Sequence, residues 1–141
     1  MSTVVILADF VSEKATKSTV EIATAGAVIG EVTALVLAPV GKGAAYAASI
    51  NQGPVTKVLV IESEDFTKHG VAACADELAY VIGQSAPSAV LVVSNAFGKE
   101  VAVRVAMKKV VLTLSQLFQW DQSAQLKLFV KPYLWVQMMR F

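Results

Sequence analysis

His69 is the only histidine of this 141-residue chain and Cys74 the only cysteine, so any Cys–His or Ser–His–Asp chemistry would have to run through them. One of each cannot supply a soft tetrahedral metal site. His69 stands between Lys68 and Gly70 at the expected start of a helix, a common place for an exposed histidine with no chemical task. Cys74 reads as a buried, inert thiol. The sequence therefore predicts no catalytic and no metal-binding residues.

Ligand binding has three candidate places. Gly41-Lys42-Gly43, ahead of an Ala-rich helix, could offer backbone N–H groups and a cation to a phosphate. Neither Gly-x-Gly-x-x-Gly nor Gly-x4-Gly-Lys-Ser/Thr is present, so a glycine turn feeding a helix is the preferred reading. Asp9 follows the first strand, at the edge where open α/β sheets bind ligands, although turn formation or capping is the simpler role. Glu62, Glu64 and Asp65 could suggest a magnesium or phosphoacceptor site, but no acidic partner follows the first strand beyond Asp9. Solvated loop charge accounts for them. Phe97 and Arg104 are the candidates for a partner interface: an aromatic where a strand turns into a helix, and a planar cation suited to carboxylates. Their alternatives are packing for Phe97 and a surface or intrachain ion pair for Arg104.

The elements that must position these residues alternate. Thr3 to Ala8 reads as a buried strand; Ser18 or Thr16 caps a helix running to about Ile29 with Val20, Ile22, Ala23 and Ala27 inward, and Gly30 stops it. Glu31 to Leu37 is a second strand, Ala44 to Ile50 a short helix, and Lys57 to Ile61 a third strand followed by an acidic loop to Lys68. A helix from about His69 to Ile82 presents Ala72, Ala75, Leu78, Ala79 and Ile82, the fourth strand is Ala89 to Val93, and a further helix runs from Lys99 to about Lys108. Strands alternating with helices on short connections specify right-handed βαβ units. The expected fold class is α/β: a Rossmann-like three-layer α/β/α sandwich with a mostly parallel sheet, the first four strands in the order 3-2-1-4.

A chain of this length is one domain with a real core. The lone cysteine excludes an internal disulfide framework, and no basic segment precedes the first apolar stretch, so a cytoplasmic location is expected. The apolar runs are strand-sized and interrupted, so no membrane span is expected. The net charge of +1 conceals a break: residues 1–107 carry seven Lys or Arg against ten Asp or Glu, whereas residues 108–141 carry five against one. All eight glycines precede the break and both tryptophans follow it. Those basic residues are sparse and interleaved with apolar ones, which argues against a nucleic-acid arm.

The stretch Ser94-Asn95-Ala96-Phe97-Gly98-Lys99-Glu100-Val101-Ala102-Val103-Arg104-Val105-Ala106 resembles a segment of the amino-terminal domain of the electron transfer flavoprotein α subunit. Val4-Val5-Ile6-Leu7-Ala8-Asp9, Lys17-Ser18-Thr19-Val20-Glu21, Gly30-Glu31-Val32-Thr33-Ala34-Leu35-Val36 and Lys57-Val58-Leu59-Val60 add matches in the family's order. The resemblance implies a scaffold domain. In the family the α subunit pairs with a β subunit, which can hold AMP, and carries FAD in a carboxy-terminal domain. The complex is an electron carrier rather than an enzyme, taking electrons from flavin dehydrogenases such as those of fatty-acid oxidation and passing them toward quinones. No FAD-binding residue carries over to this chain, so none is expected to hold cofactor here.

The resemblance divides the chain into residues 1–108, the α-subunit-like domain, and residues 109–141, a divergent tail, with the flavin domain expected to be absent. Taking the third base of each codon with the first two of the next, Lys109 to Phe118 can encode Ser/Gly-Gly-Leu-Asp-Ala-Val-Ala-Val-Val, similar to the family's continuation. An out-of-frame tail follows as an expectation, with Val110 to Leu117 captured as a strand and Phe118, Trp120, Phe129, Tyr133, Trp135 and Phe141 left exposed. The alternatives are a free-standing nucleotide-binding or stress-response-like α/β domain, or a non-functional remnant.

Overall fold

The computed structural model describes residues 2–50, 53–117, 127–131 and 134–140, with side chains described only as far as residue 108. Thirteen elements follow one another among these: β1 (Thr3–Leu7), β2 (Phe10–Val11), β3 (Lys14–Ala15), α1 (Lys17–Ile29), β4 (Glu31–Ala38), α2 (Gly43–Ser49), β5 (Val55–Glu62), α3 (Asp65–Lys68), α4 (Gly70–Ser85), β6 (Ala89–Val92), α5 (Ala96–Leu117), β7 (Lys127–Lys131) and β8 (Leu134–Arg140). The sheet runs β5-β4-β1-β6-β8-β7. Its first four strands are parallel and stand in the expected 3-2-1-4 order. The α/β sandwich with a mostly parallel sheet is borne out; β8 adds to β6 antiparallel, through Ala89↔Arg140 and Val90↔Met139.

Alternation along β1 builds two cores at once, because successive side chains point to opposite faces. Val4 and Ile6 pack with Ile22, Ala23, Val32, Val36 and Leu91 on the α1 side. Val5 and Leu7 pack with Leu35, Cys74, Leu78, Val90 and Val101 on the α4 and α5 side. Each such burial stabilises by about 1.5–3 kcal/mol against leaving the side chain in water. A continuous apolar run is what a strand covered on both faces requires.

Helix α1 begins where Thr16 accepts the Thr19 N–H and ends at Gly30, as expected. Its buried face is Thr19, Ile22, Ala23 and Gly26, spaced three and four apart, while Val20 and Ala27 are exposed. The face expected from apolar residues alone was rotated, since Thr19 and Gly26 line the buried side. Gly26 is there for close packing, with Val4 and Val32 methyls 3.2 Å from the place a Cβ would take. Gly30 is extended, and a Cβ on it would overlap the Ser2 carbonyl oxygen, so proximity rather than a left-handed turn selects glycine. The expected acidic loop after β5 contains a one-turn helix, α3, separated by His69 from α4, whose first residue Gly70 sits at φ +49°.

Helix α5 corrects two expectations. It starts at Ala96 rather than Lys99, and it continues to Leu117 where a strand from Val110 was expected. Helix propagation is cooperative, and no Gly or Pro interrupts 99–117, so continuing a formed helix costs less than starting a strand. The expectation on the tail aromatics falls on side chains outside the described part.

Candidate functional site

The carboxyl ends of β1, β4, β5 and β6 form the edge where sequence reasoning placed its ligand candidates. Two carboxylates organise it. The first, Asp9, lies just past β1. Its Oδ2 accepts the Asn95 amide N–H at 3.2 Å and the Thr16 hydroxyl at 3.4 Å. Its backbone is held as well: Asp9 N–H donates to Thr19 Oγ1 at 2.9 Å, and the Thr19 hydroxyl donates to the Asp9 carbonyl at 3.1 Å. Asn95 meanwhile caps α5, its Oδ1 accepting the Gly98 N–H at 2.7 Å. Asp9 thus ties the first turns of α1 and α5 across the switch between β1 and β6. Helix N-termini favour negative charge, and here a side chain supplies it.

The second carboxylate is Glu62, at the end of β5. Its two oxygens accept the N–H groups of Gly41 at 3.2 Å and Gly43 at 2.8 Å. Gly41 sits at φ +86°, a left-handed conformation that favours glycine, and Gly43 is packed so closely that a Cβ would lie 2.5 Å from Glu62 Oε1 and 2.6 Å from Val60 Cγ1. The glycine loop does bind an anion, but the anion is its own Glu62. Glu62 is exposed, as a solvated charge should be, and its bonds to the glycine loop are the part not expected, since a contact 21 residues apart leaves no local signal. The cation of the loop is also engaged: Lys42 pairs with Glu13 on the β2–β3 turn. That hydrogen bond and charge hold the Lys42 ammonium above its ordinary pKa.

Between β1 and β6 lies a shallow crevice of about 10 Å³, room for little more than one water, lined by Leu7, Ala8, Asp9, Val93, Asn95, Phe97 and Gly98. Phe97 stands at its rim with 39 % of its surface exposed. Gly98 allows this geometry, because a Cβ on it would overlap the Val93 carbonyl oxygen and push the first turn of α5 off the strand end. Ser94 Oγ is buried beside this turn without a hydrogen-bond partner among the described residues. Arg104 lies two turns from Phe97 on the same side of α5 and pairs with Glu100 at 3.6 Å, both half-exposed. The intrachain ion pair weighed for Arg104 is therefore present, and such surface pairs contribute little.

The other candidates lie apart from this edge network. Cys74 is buried between α4 and the sheet, and burial pushes its thiol pKa up to about 11. His69 is exposed between α3 and α4. A wider groove of about 320 Å³ opens at the opposite, amino edge beside Glu31, Lys57 and Val81, where no sequence candidate falls. Among the described residues, no group of His, Cys, Asp and Glu gathers as a metal site and no helix is long and apolar enough to cross a membrane. Sequence reasoning found Asp9, Phe97 and the glycine loop but missed Asn95, Thr19 and the Glu62 contact. Asn95 carried a readable signal, a capping residue type directly ahead of a helical pattern.

Fold and edge together define a Rossmann-like α/β domain whose ligand-facing sheet edge is braced by its own carboxylates. Residues 3–117 match the electron transfer flavoprotein domain, and the chain belongs to that flavin-associated family of electron carriers. It is similar to the electron transfer flavoprotein subunit alpha of Mycobacterium leprae (strain TN) and of Mycobacterium tuberculosis (strain ATCC 25618 / H37Rv), 31% identical over 108 residues in each case. Those matches cover 77% of this chain and 34% of each relative, so the chain spans about a third of the length of the curated relatives it matches.

Proposed function

We propose that residues 1–108 are the amino-terminal scaffold of an electron transfer flavoprotein α-type subunit, pairing with a β-type subunit in the cytoplasm. In the assembled carrier, FAD accepts electrons from flavin dehydrogenases, such as those of fatty-acid oxidation. The redox chemistry belongs to the flavin, and the residues of this domain hold no part of the cofactor. One observation carries the proposal: the glycine-loop N–H groups that would receive a phosphate are taken by Glu62, the first turn of α5 is capped by Asn95 with Asp9 behind it, and Phe97 is partly exposed at the rim. An edge whose backbone donors are engaged by its own side chains, with an exposed aromatic beside them, suits a docking scaffold better than a nucleotide-binding domain.

Phe97 and Arg104, on one side of α5, are the proposed partner contacts. Co-purification with the β-type subunit from the same source tests them. Phe97→Ala is expected to weaken association about tenfold, in the range of an aromatic interface residue, and Arg104→Ala less. Unchanged association in both variants would remove the assignment. The compositional break supports reading residues 109–141 as a divergent, out-of-frame tail, while the family match running on to residue 117 counts against a break as early as 109; the coding DNA decides it, and a stop within a few codons of the shifted frame would sink it.

A further inference from the structure

We infer that Asp9 and Asn95 are positioning residues for the Phe97 contact, bracing the first turn of α5 so that the aromatic ring is presented to a partner subunit in one orientation. The inference rests on the partner-facing role proposed above for Phe97. It starts from a contrast within one short segment: Val93 and Val101 are buried at 6 % and 0 % exposure, whereas Phe97 between them is exposed. An exposed ring on a first helical turn ordinarily moves with that turn. Here the turn is fixed from three directions: by Gly98 against the Val93 carbonyl, by the Asn95 cap on Gly98 N–H, and by the Asn95 amide on Asp9.

The choice of residue at position 95 is informative. Serine, threonine or aspartate would cap α5 as well as asparagine does, because each offers an acceptor oxygen. Only asparagine also carries N–H donors on the same short side chain, and it uses one to reach Asp9 across the crevice. Asp9 is in turn anchored to α1 through Thr16 and Thr19. The brace therefore runs from α1 through Asp9 and Asn95 to the turn that carries Phe97. Fixing a contact residue before association reduces the ordering cost of binding, which gives the brace a purpose beyond capping.

The test is a double-mutant cycle on the dissociation constant of the full chain with its β-type partner subunit. Asn95→Ser keeps the cap and deletes only the tie to Asp9; Asp9→Ala deletes the same tie from the other side, so one variant survives if the other folds poorly. Circular dichroism and melting temperature check folding. Each tie variant should weaken association about threefold to tenfold, and combining Asn95→Ser with Phe97→Ala should be no worse than Phe97→Ala alone. Wild-type association in both tie variants, with Phe97→Ala impaired, would overturn the brace and leave the Phe97 contact standing. Additive losses would also overturn it. If Phe97→Ala binds as tightly as wild type, or the wild-type chain does not bind at all, the Phe97 contact fails and the brace with it.

Discussion

The two corners of the carboxyl edge solve the same electrostatic problem with different parts. At the β1–β6 corner, Asp9 is met by side chains, an amide and a hydroxyl reaching in from two helices. At the β4–β5 corner, Glu62 is met by backbone N–H groups of one glycine loop. The first arrangement ties secondary elements together and leaves an aromatic standing at the rim. The second closes a loop on itself. Side-chain donors give the first corner a set orientation, whereas the second resembles an anion cradle that has received its anion from within.

Glycine substitutions separate the corners most sharply. Gly98→Ala meets the Val93 carbonyl oxygen, backbone that can yield only by displacing the end of β6. A loss of about 3 kcal/mol is expected. Gly43→Ala meets the Glu62 carboxylate and a Val60 methyl, both side-chain atoms that can swing aside. A loss of about 1–2 kcal/mol is expected there, part of it from the displaced Glu62 bonds. Urea unfolding midpoints measure both, and equal losses would erase the distinction between the corners.

A smaller effect has the opposite sign. Ser94→Ala removes a buried hydroxyl oxygen that has no partner among the described residues. Stability should rise by about 1 kcal/mol, again read from the unfolding midpoint. A fall would mean that the hydroxyl is satisfied and that this corner is held by more than Asp9 and Asn95.

Cys74, away from both corners, sets the baseline. Burial raises its thiol pKa from the ordinary 9.0 to about 11, so the folded state disfavours the thiolate. The associated stabilisation is fully present below the unfolded value and is lost as pH rises through the folded one. Thiol reagents at mildly alkaline pH should label the unfolded chain quickly and the native chain slowly; fast native labelling would place the core opening near α4.

The elements were legible because their signals are local. Alternation in Val4 to Leu7, the Thr16 cap and the stop at Gly30 could be read from neighbouring residues, and the βαβ rhythm fixed the strand order. The inner face of α1 was misread since Thr19 and Gly26, polar and small, carry no hydrophobic signal yet line the buried side. The end of α5 was misread because a compositional change does not by itself stop a helix. The site was legible one residue at a time: Asp9, Phe97 and Gly41-Lys42-Gly43 stood out as types. Their partners did not, for Asp9 and Asn95 lie 86 residues apart and Gly43 and Glu62 lie 19 apart.

On the function proposed above, this edge, with its glycine-loop donors already held by Glu62, docks a partner rather than a nucleotide. Calorimetric titration of ATP, AMP and FAD into the purified chain, followed by the β-type subunit, tests it most directly. No micromolar binding of either nucleotide or of FAD is expected, whereas the subunit should associate. One-to-one micromolar binding of a nucleotide, or a stoichiometric yellow complex with FAD, would contradict it.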